Sequence, residues 1–335
     1  MHLRILTIHT QKEAYQELRE VGVDPSAVVS FKGEEEFSSP SNLKLETPIQ
    51  DGPFLLKFRK GVLNLSTRTH IMGAINVTPD SFYDGGLYLE PQKAIDRALK
   101  LEDEGADIID IGGESTRPGA EPVSAEEELR RVMPVVEGLV GRLSVPISID
   151  TYKSQTAEMA LSAGAGMVND ISGLTFDPKL AEVVAAHQVP LILGHIKGRP
   201  KDMQVMPHYS SLISEIWQTL NSSIERAVEG GVVRDNIVID PGIGFGKTVA
   251  HNFLILKNLS QFKTLHRPIC LGPSRKSFIY KTLGTTPEGS LEGTLAAVTV
   301  AIMNGAHIIR THDVAATKRA AMIADGIIRS LGEIS

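Results

Sequence analysis

Acidic, amide and basic side chains recur in this chain at one kind of place, at the end of a short apolar run or directly after it. Asn76 follows IMGAI, Asp150 follows VPISI, Asn169 and Asp170 close GMVND, and His195 follows VPLILG. Asp240 closes NIVID ahead of PGIGFGK, Ser274, Arg275 and Lys276 follow RPICLGP, and Arg310, Thr311, His312 and Asp313 end HIIRTHD. The run DIIDI opens into Gly112, Gly113 and then ESTRPG, which carries Thr116 and Arg117. Asp150, Asn169 and Asp240 have the carboxylate and amide groups that pair with ring NH and NH2 groups of a flat heterocycle. Arg117, Lys276, Arg310 and, when protonated, His312 suit the anionic oxygens of a phosphate or carboxylate. Singly, each has a plainer role, because Asp at a strand end is often a turn residue and Arg often covers a rim. Together, polar groups at nearly every run end point to one binding site.

The elements that must bring these residues together are legible as a rhythm. Eight apolar runs of four to six residues recur: Ile71–Ile75, DIIDI, VPISI, GMVND, VPLIL, NIVID, RPICL and HIIRT. Amphipathic stretches of helix length lie between them, such as EPQKAIDRALKLEDEG and SAEEELRRVMPVVEGL. Continuous apolar runs suit strands covered on both faces, and β/α alternation implies a parallel sheet. Eight repeats close naturally into an α/β fold of the (β/α)₈ TIM barrel type, whose chemistry sits at the C-terminal ends of the strands. An open doubly wound sheet is the alternative. Ahead of the first run, FRKGVLNLSTRTH reads as a short β-hairpin around Lys60-Gly61. Residues 1–55 differ in texture, with the polar stretch FKGEEEFSSPSN, and read as a small N-terminal extension to a barrel domain over residues 56–335. The Gly-, Pro- and Ser-rich loops VTPDSFYDGG and ESTRPGAEPVS are expected to act as lids.

Bulk properties narrow the class. A chain of 335 residues, 42% hydrophobic and 22% charged, has the make-up of a soluble globular protein. A net charge of −6 argues against nucleic acid as the main partner. No run approaches the about 18 apolar residues of a membrane span. The first residues show no signal-peptide pattern, and a cytoplasmic location is expected. The single Cys270, inside PICLG, reads as a buried core thiol. PGIGFGKT falls short of a phosphate-cradling G-x-x-x-x-G-K-[ST] loop, since Pro241 stands where the first Gly belongs. No zinc-ligand spacing and no G-x-S-x-G nucleophile elbow appears.

From about residue 56 onward the chain resembles the dihydropteroate synthase family of pterin-binding barrels. The resemblance is carried by IMGAINVTPDSFYDGG, GADIIDIGGESTRPGA, SIDTYK, VNDISG, HIKGRP followed by MQ, DPGIGFGK, SRKSFI and RTHDV, in that order. It implies transfer of a dihydropterin from its diphosphate to p-aminobenzoate, with Mg²⁺ as cofactor and a homodimer as the assembly. It implies a pterin pocket lined by Asp150, Asn169, Asp240 and Lys276, with Arg310 stacked on the ring. Asn76 would help hold Mg²⁺ with the diphosphate, and Arg310 and His312 would bind its oxygens. Thr116, Arg117 and Phe245 would close the p-aminobenzoate site, and Ser274 with the helix start after it would receive the carboxylate. Asp150, Asp240, Lys276, Arg310 and His312 are the residues expected to take part in catalysis. Ile196, Pro273 and Thr311 depart from the family pattern in pocket detail. Two rival functions share the barrel: a pterin-binding methyltransferase acting on methyltetrahydrofolate, and a non-catalytic pterin-binding paralogue.

Overall fold

The computed structural model describes residues 53–59, 61–78, 91–205 and 207–330. Nearly all of the extension expected over residues 1–55, and the lid expected beyond residue 78, lie outside them.

Strands β1 (Leu55–Phe58) and β2 (Gly61–Asn64) pair antiparallel as the expected hairpin. Eight parallel strands follow: β3 (His70–Asn76), β4 (Ile108–Gly112), β5 (Ile147–Asp150), β6 (Met167–Asp170), β7 (Leu191–Gly194), β8 (Ile237–Asp240), β9 (Cys270–Leu271) and β10 (Ile308–Thr311). Neighbours in sequence are neighbours in the sheet from β3 to β8, while β10 lies between β3 and β9. A parallel bridge from Ile239 to Ile269 joins the remaining edges, so the sheet closes and the open doubly wound alternative is excluded. The seventh barrel strand is short for a local reason: Pro268 precedes it and Pro273 follows closely, and neither can donate to a ladder.

Helices α1 (Pro91–Asp103), α2 (Ala125–Leu139), α3 (Ser154–Ala163), α4 (Leu180–His187), α5 (Leu212–Glu229), α6 (Val249–Lys257), α7 (Ser277–Leu283), α8 (Leu291–Met303) and α9 (Val314–Ser330) surround it. Helix α2 shows why they form. Ser124 caps its start by accepting from the Glu127 backbone N–H, three glutamates fill the first turn, and Val132, Val135, Val136 and Leu139 repeat at helical spacing and are buried. Burial of each such branched side chain contributes roughly 1.5–3 kcal/mol.

Inside the barrel, Met72, Ile108, Met167, Ile192, Val238, Cys270 and Ile308 form one buried layer. Leu56 and Leu65 from the hairpin region join it, closing the N-terminal mouth. Cys270 is a core thiol here, as its apolar run implies. Among the described residues no helix is long and apolar enough to cross a membrane.

Candidate active site

Side chains alternate along a strand, so a residue two positions beyond an interior one points inward again, one layer higher. Two beyond Ile108 is Asp110, two beyond Met167 is Asn169, two beyond Val238 is Asp240, and two beyond Ile308 is Arg310. Asp150 stands two beyond the buried Ser148, and Asn76 four beyond Met72. An apolar floor thus supports a polar layer. Within that layer Arg310 Nε donates to Asp110 Oδ2 at 2.6 Å, and its Nη2 donates to Asp150 Oδ2 at 2.8 Å. Asn169 Nδ2 donates to the same Asp110 oxygen at 3.1 Å. The other Asp110 oxygen, Oδ1, is buried with no protein partner. Burial opposes the charge on Arg310, yet Asp110 and Asp150 outweigh it and raise its pKa. Burial raises Asp150 to about 7 against the pull of Arg310.

The loop after β8 makes the opposite wall. Asp240 Oδ1 accepts from the Gly242 backbone N–H at 2.7 Å. Gly242 is left-handed (φ 72°), and a Cβ there would overlap the His195 carbonyl oxygen, so only glycine fits this turn. At Gly244 (φ 87°) a Cβ would lie 2.9 Å from Lys276 Cδ, so the missing side chain makes room for that lysine. Lys276 Nζ donates to the Ile243 carbonyl and sits 4.3 Å from the centre of the Phe245 ring, a cation–π contact. Burial lowers its pKa to about 8, with Asp240 opposing. Asp240 itself is raised by burial, partly offset by Lys276. The lysine of the Walker-like segment is used internally: Lys247 Nζ donates to His195 Nδ1 at 2.9 Å and to the Phe245 carbonyl at 3.0 Å.

At the rim, Ser274 Oγ accepts from the His312 backbone N–H at 3.2 Å and lies 3.1 Å from His312 Nδ1. Asn76 Nδ2, a donor only, lies 3.3 Å from His312 Nε2. Burial, then Arg310 and Arg275, push His312 down to about 4, so at neutral pH it is a neutral imidazole and not one of the cations. Thr116 is half-buried and Arg117 exposed on the loop between β4 and α2. The base of that loop is fastened more firmly than its Gly- and Pro-rich composition suggests. Glu114 accepts from Lys153 Nζ at 2.5 Å, from Tyr152 Oη at 2.9 Å and from the Val123 N–H at 3.2 Å. Lys153 also donates to the buried Glu128 at 2.8 Å.

The residues proposed from sequence at the ends of β3, β5, β6, β8 and β10 therefore share one mouth with Ser274 and Lys276. Asp170 and His195, noted there as run-end residues, face elsewhere: Asp170 accepts from the Ser172 and Leu174 N–H groups, and His195 holds Lys247. Asp110 was missed. It lies inside its run instead of after it, and its signal is an acid at inward parity between two isoleucines. Glu114, Lys153 and Glu128, which fasten the loop, were missed as well.

Such a mouth can bind a flat ring bearing N–H donors over its acids and an anionic group beside its cations. Residues 72–312 match the family model described as pterin binding enzyme. The chain is 47% identical to the dihydropteroate synthase of Synechocystis sp. over 263 residues, covering 78% of this chain and 91% of that one. The structure of Xanthomonas albilineans dihydropteroate synthase with 4-aminobenzoic acid superposes with a TM-score of 0.77 at 41% identity, covering 82% of this chain and 98% of that one. The same organism's enzyme in complex with 7,8-dihydropteroate gives a TM-score of 0.74 at 39% identity, with 82% and 98% covered. The chain belongs to the dihydropteroate synthase family of pterin-binding enzymes.

Proposed function

We propose that the polar mouth of the barrel joins a dihydropterin to p-aminobenzoate through the residues described above. The aniline nitrogen attacks the methylene carbon of (7,8-dihydropterin-6-yl)methyl diphosphate, and the C–O electron pair leaves with the diphosphate. The amine proton is lost, giving 7,8-dihydropteroate. The observation that carries this reading is the cluster of Arg310, Asp110, Asp150 and Asn169, in which a buried carboxylate oxygen is left for a ligand donor. Asp240, Asn169 and Asp110 Oδ1 accept from or pair with the pterin NH and NH2 groups, and Arg310 lies against the ring. Lys276, at about 8 still mostly protonated at neutral pH, balances the acids around the ring.

Ser274 receives the p-aminobenzoate carboxylate, and Phe245, Thr116 and Arg117 enclose its ring. No covalent nucleophile is required. The residues have to hold the amine in line and offset the leaving charge, for which Arg310 supplies the cation while His312, a neutral imidazole, stands at the rim as a polar neighbour of the diphosphate. Among the described residues no group of three His, Cys, Asp or Glu can hold a metal. The Asn76 amide oxygen nevertheless fits Mg²⁺ in the manner usual for that ion, with most oxygens coming from a bound diphosphate and water. When bound, Mg²⁺ would supply charge neutralisation to the leaving group.

We assign the chain to the cytoplasm, where its one buried, unpaired cysteine is at home. We also assign it to a homodimer. Phe253, Leu283 and Val300, on α6, α7 and α8, are each more than 40% exposed and edge an apolar groove that a second copy would cover. The test is a mixing assay with pterin diphosphate, p-aminobenzoate and Mg²⁺. Diphosphate release dependent on p-aminobenzoate supports the reading. Corrinoid methylation from methyltetrahydrofolate would replace it with the methyltransferase, and pterin binding without either reaction with the non-catalytic paralogue.

A further inference from the structure

The segment Ser274-Arg275-Lys276 delivers two side chains to the mouth from residues separated by only one position. Ser274 reaches His312, and Lys276 reaches the Ile243 carbonyl and the Phe245 ring. Between them Arg275 has a left-handed backbone, φ 55°. Leu174, Gln188 and His266 also have positive φ; the last two cap the C-termini of helices, where it is common, and Leu174 lies in the turn tied by Asp170. Arg275 precedes a helix, and an L-residue there bears a steric cost that glycine would not.

Three contacts hold it. Its Nε donates to Asp313 Oδ2 at 3.0 Å and its Nη2 to Asp313 Oδ1 at 2.6 Å, a two-pronged ion pair. Its backbone N–H donates to Thr294 Oγ1 on α8 at 3.2 Å. The contacts run in step: Ser274 meets His312 on the inner side, and the next residue of each loop, Arg275 and Asp313, meet on the outer side. The pair is partly exposed and stands outside the acid cluster of the pocket.

We propose that Arg275 is a positioning residue: its left-handed backbone, clamped by Asp313, turns Ser274 and Lys276 together into the pocket. This rests on the functional reading above, because Ser274 and Lys276 matter only if substrates bind there. A Ser274 displaced from the carboxylate of p-aminobenzoate should raise the KM for that substrate and lower kcat, since a misplacement of about 1 Å costs on the order of 100-fold.

The experiment compares R275A, R275G, R275K and D313N in steady-state kinetics and thermal unfolding, with a crystal structure of R275A. R275A is expected to lose about 100-fold in kcat/KM for p-aminobenzoate. R275G lacks the clamp too but takes the left-handed conformation freely, so it should exceed R275A by about fivefold. R275K keeps the charge and should recover part of the loss, and D313N should lose activity with the residue-275 side chain intact. In R275A crystals, Ser274 Oγ should lie out of hydrogen-bond reach of His312. Equal activity of R275A and wild type, R275G no better than R275A, a loss explained wholly by unfolding, or an unmoved Ser274 would each overturn the proposal. A wild-type protein that forms no dihydropteroate would instead fault the functional reading, and the R275A crystal structure would still decide whether Arg275 sets this loop.

Discussion

Arg310 Nε and Asp110 Oδ2 lie 2.6 Å apart although 200 residues separate them in sequence. Strand β3 stands between their strands, and barrel closure brings β10 to its far side. The same guanidinium also holds Asp150, so one cation organises two acids on the pocket floor.

Removing that cation is therefore expected to damage fold and function by separable amounts. Losing one partner of a buried ion pair costs about 3–5 kcal/mol of stability, and losing a charge-stabilising group costs about 2–4 kcal/mol in kcat/KM. R310A should show both losses. R310M combined with D110N removes one stranded carboxylate and should regain much of the lost Tm while turnover stays low. Turnover of R310A close to wild type, measured on folded protein, would remove Arg310 from the chemistry.

Lys276 sets an alkaline limit. Its pKa lies near 8 in the folded chain against an ordinary 10.5, because burial disfavours the ammonium. Between those values the unfolded chain binds the proton that the folded chain lacks, so the contribution of this group to stability rises with pH across that window and is least favourable below pH 8. Activity should move the other way: kcat/KM for the pterin diphosphate should decline above about pH 8 as the charge beside Asp240 is lost. A wild-type profile flat to pH 10, or the same limb retained in K276M, would show that another group titrates.

The buried link beneath the second loop carries a third expectation. E114Q keeps the shape of Glu114 but weakens its hold on Lys153 and Tyr152, and losing one charge-assisted hydrogen bond is worth roughly tenfold. The KM for p-aminobenzoate should rise by about that factor, with pterin binding unchanged, because Thr116 and Arg117 stand on the same loop. K153M strands Glu114 beside Glu128 and should lower Tm far more than E114Q does. An unaltered KM in E114Q would mean that the loop is set by other contacts.

How much of this was legible in the sequence depends on which way each residue faces. The eight runs stood out because their strands are covered on both faces, and the polar residues at their ends follow from barrel geometry. Counting from run ends nevertheless overlooks parity. Asn169 and Asp170 are adjacent, yet the first joins the pocket cluster while the second ties up a turn. Asp110 sits inside DIIDI and escaped notice, although its step of two from Ile108 marks it as inward. Glu128 has the look of a solvated acid in EEEL, but it is buried against Lys153 from another loop, a contact no local pattern announces. The left-handed Arg275 likewise has no sequence signature, because the partner that holds it lies 38 residues away.

The apolar groove beside α8 leads to a fourth expectation. Light scattering of the wild-type protein should give twice the mass of one chain, and V300E combined with L283E should give a monomer that keeps the secondary structure. A wild-type monomer at working concentration would leave that surface for another partner.

Asp240, Asn169 and the Arg310 cluster are proposed to receive the pterin ring together. A crystal structure of the chain with a non-hydrolysable pterin diphosphate analogue tests this most directly. The ring NH and NH2 groups are expected within about 3.2 Å of the Asp240 and Asn169 side chains, with the guanidinium of Arg310 against the ring and the diphosphate at Asn76 and His312. A pterin bound elsewhere, with the Arg310 cluster empty and unmoved, would contradict it.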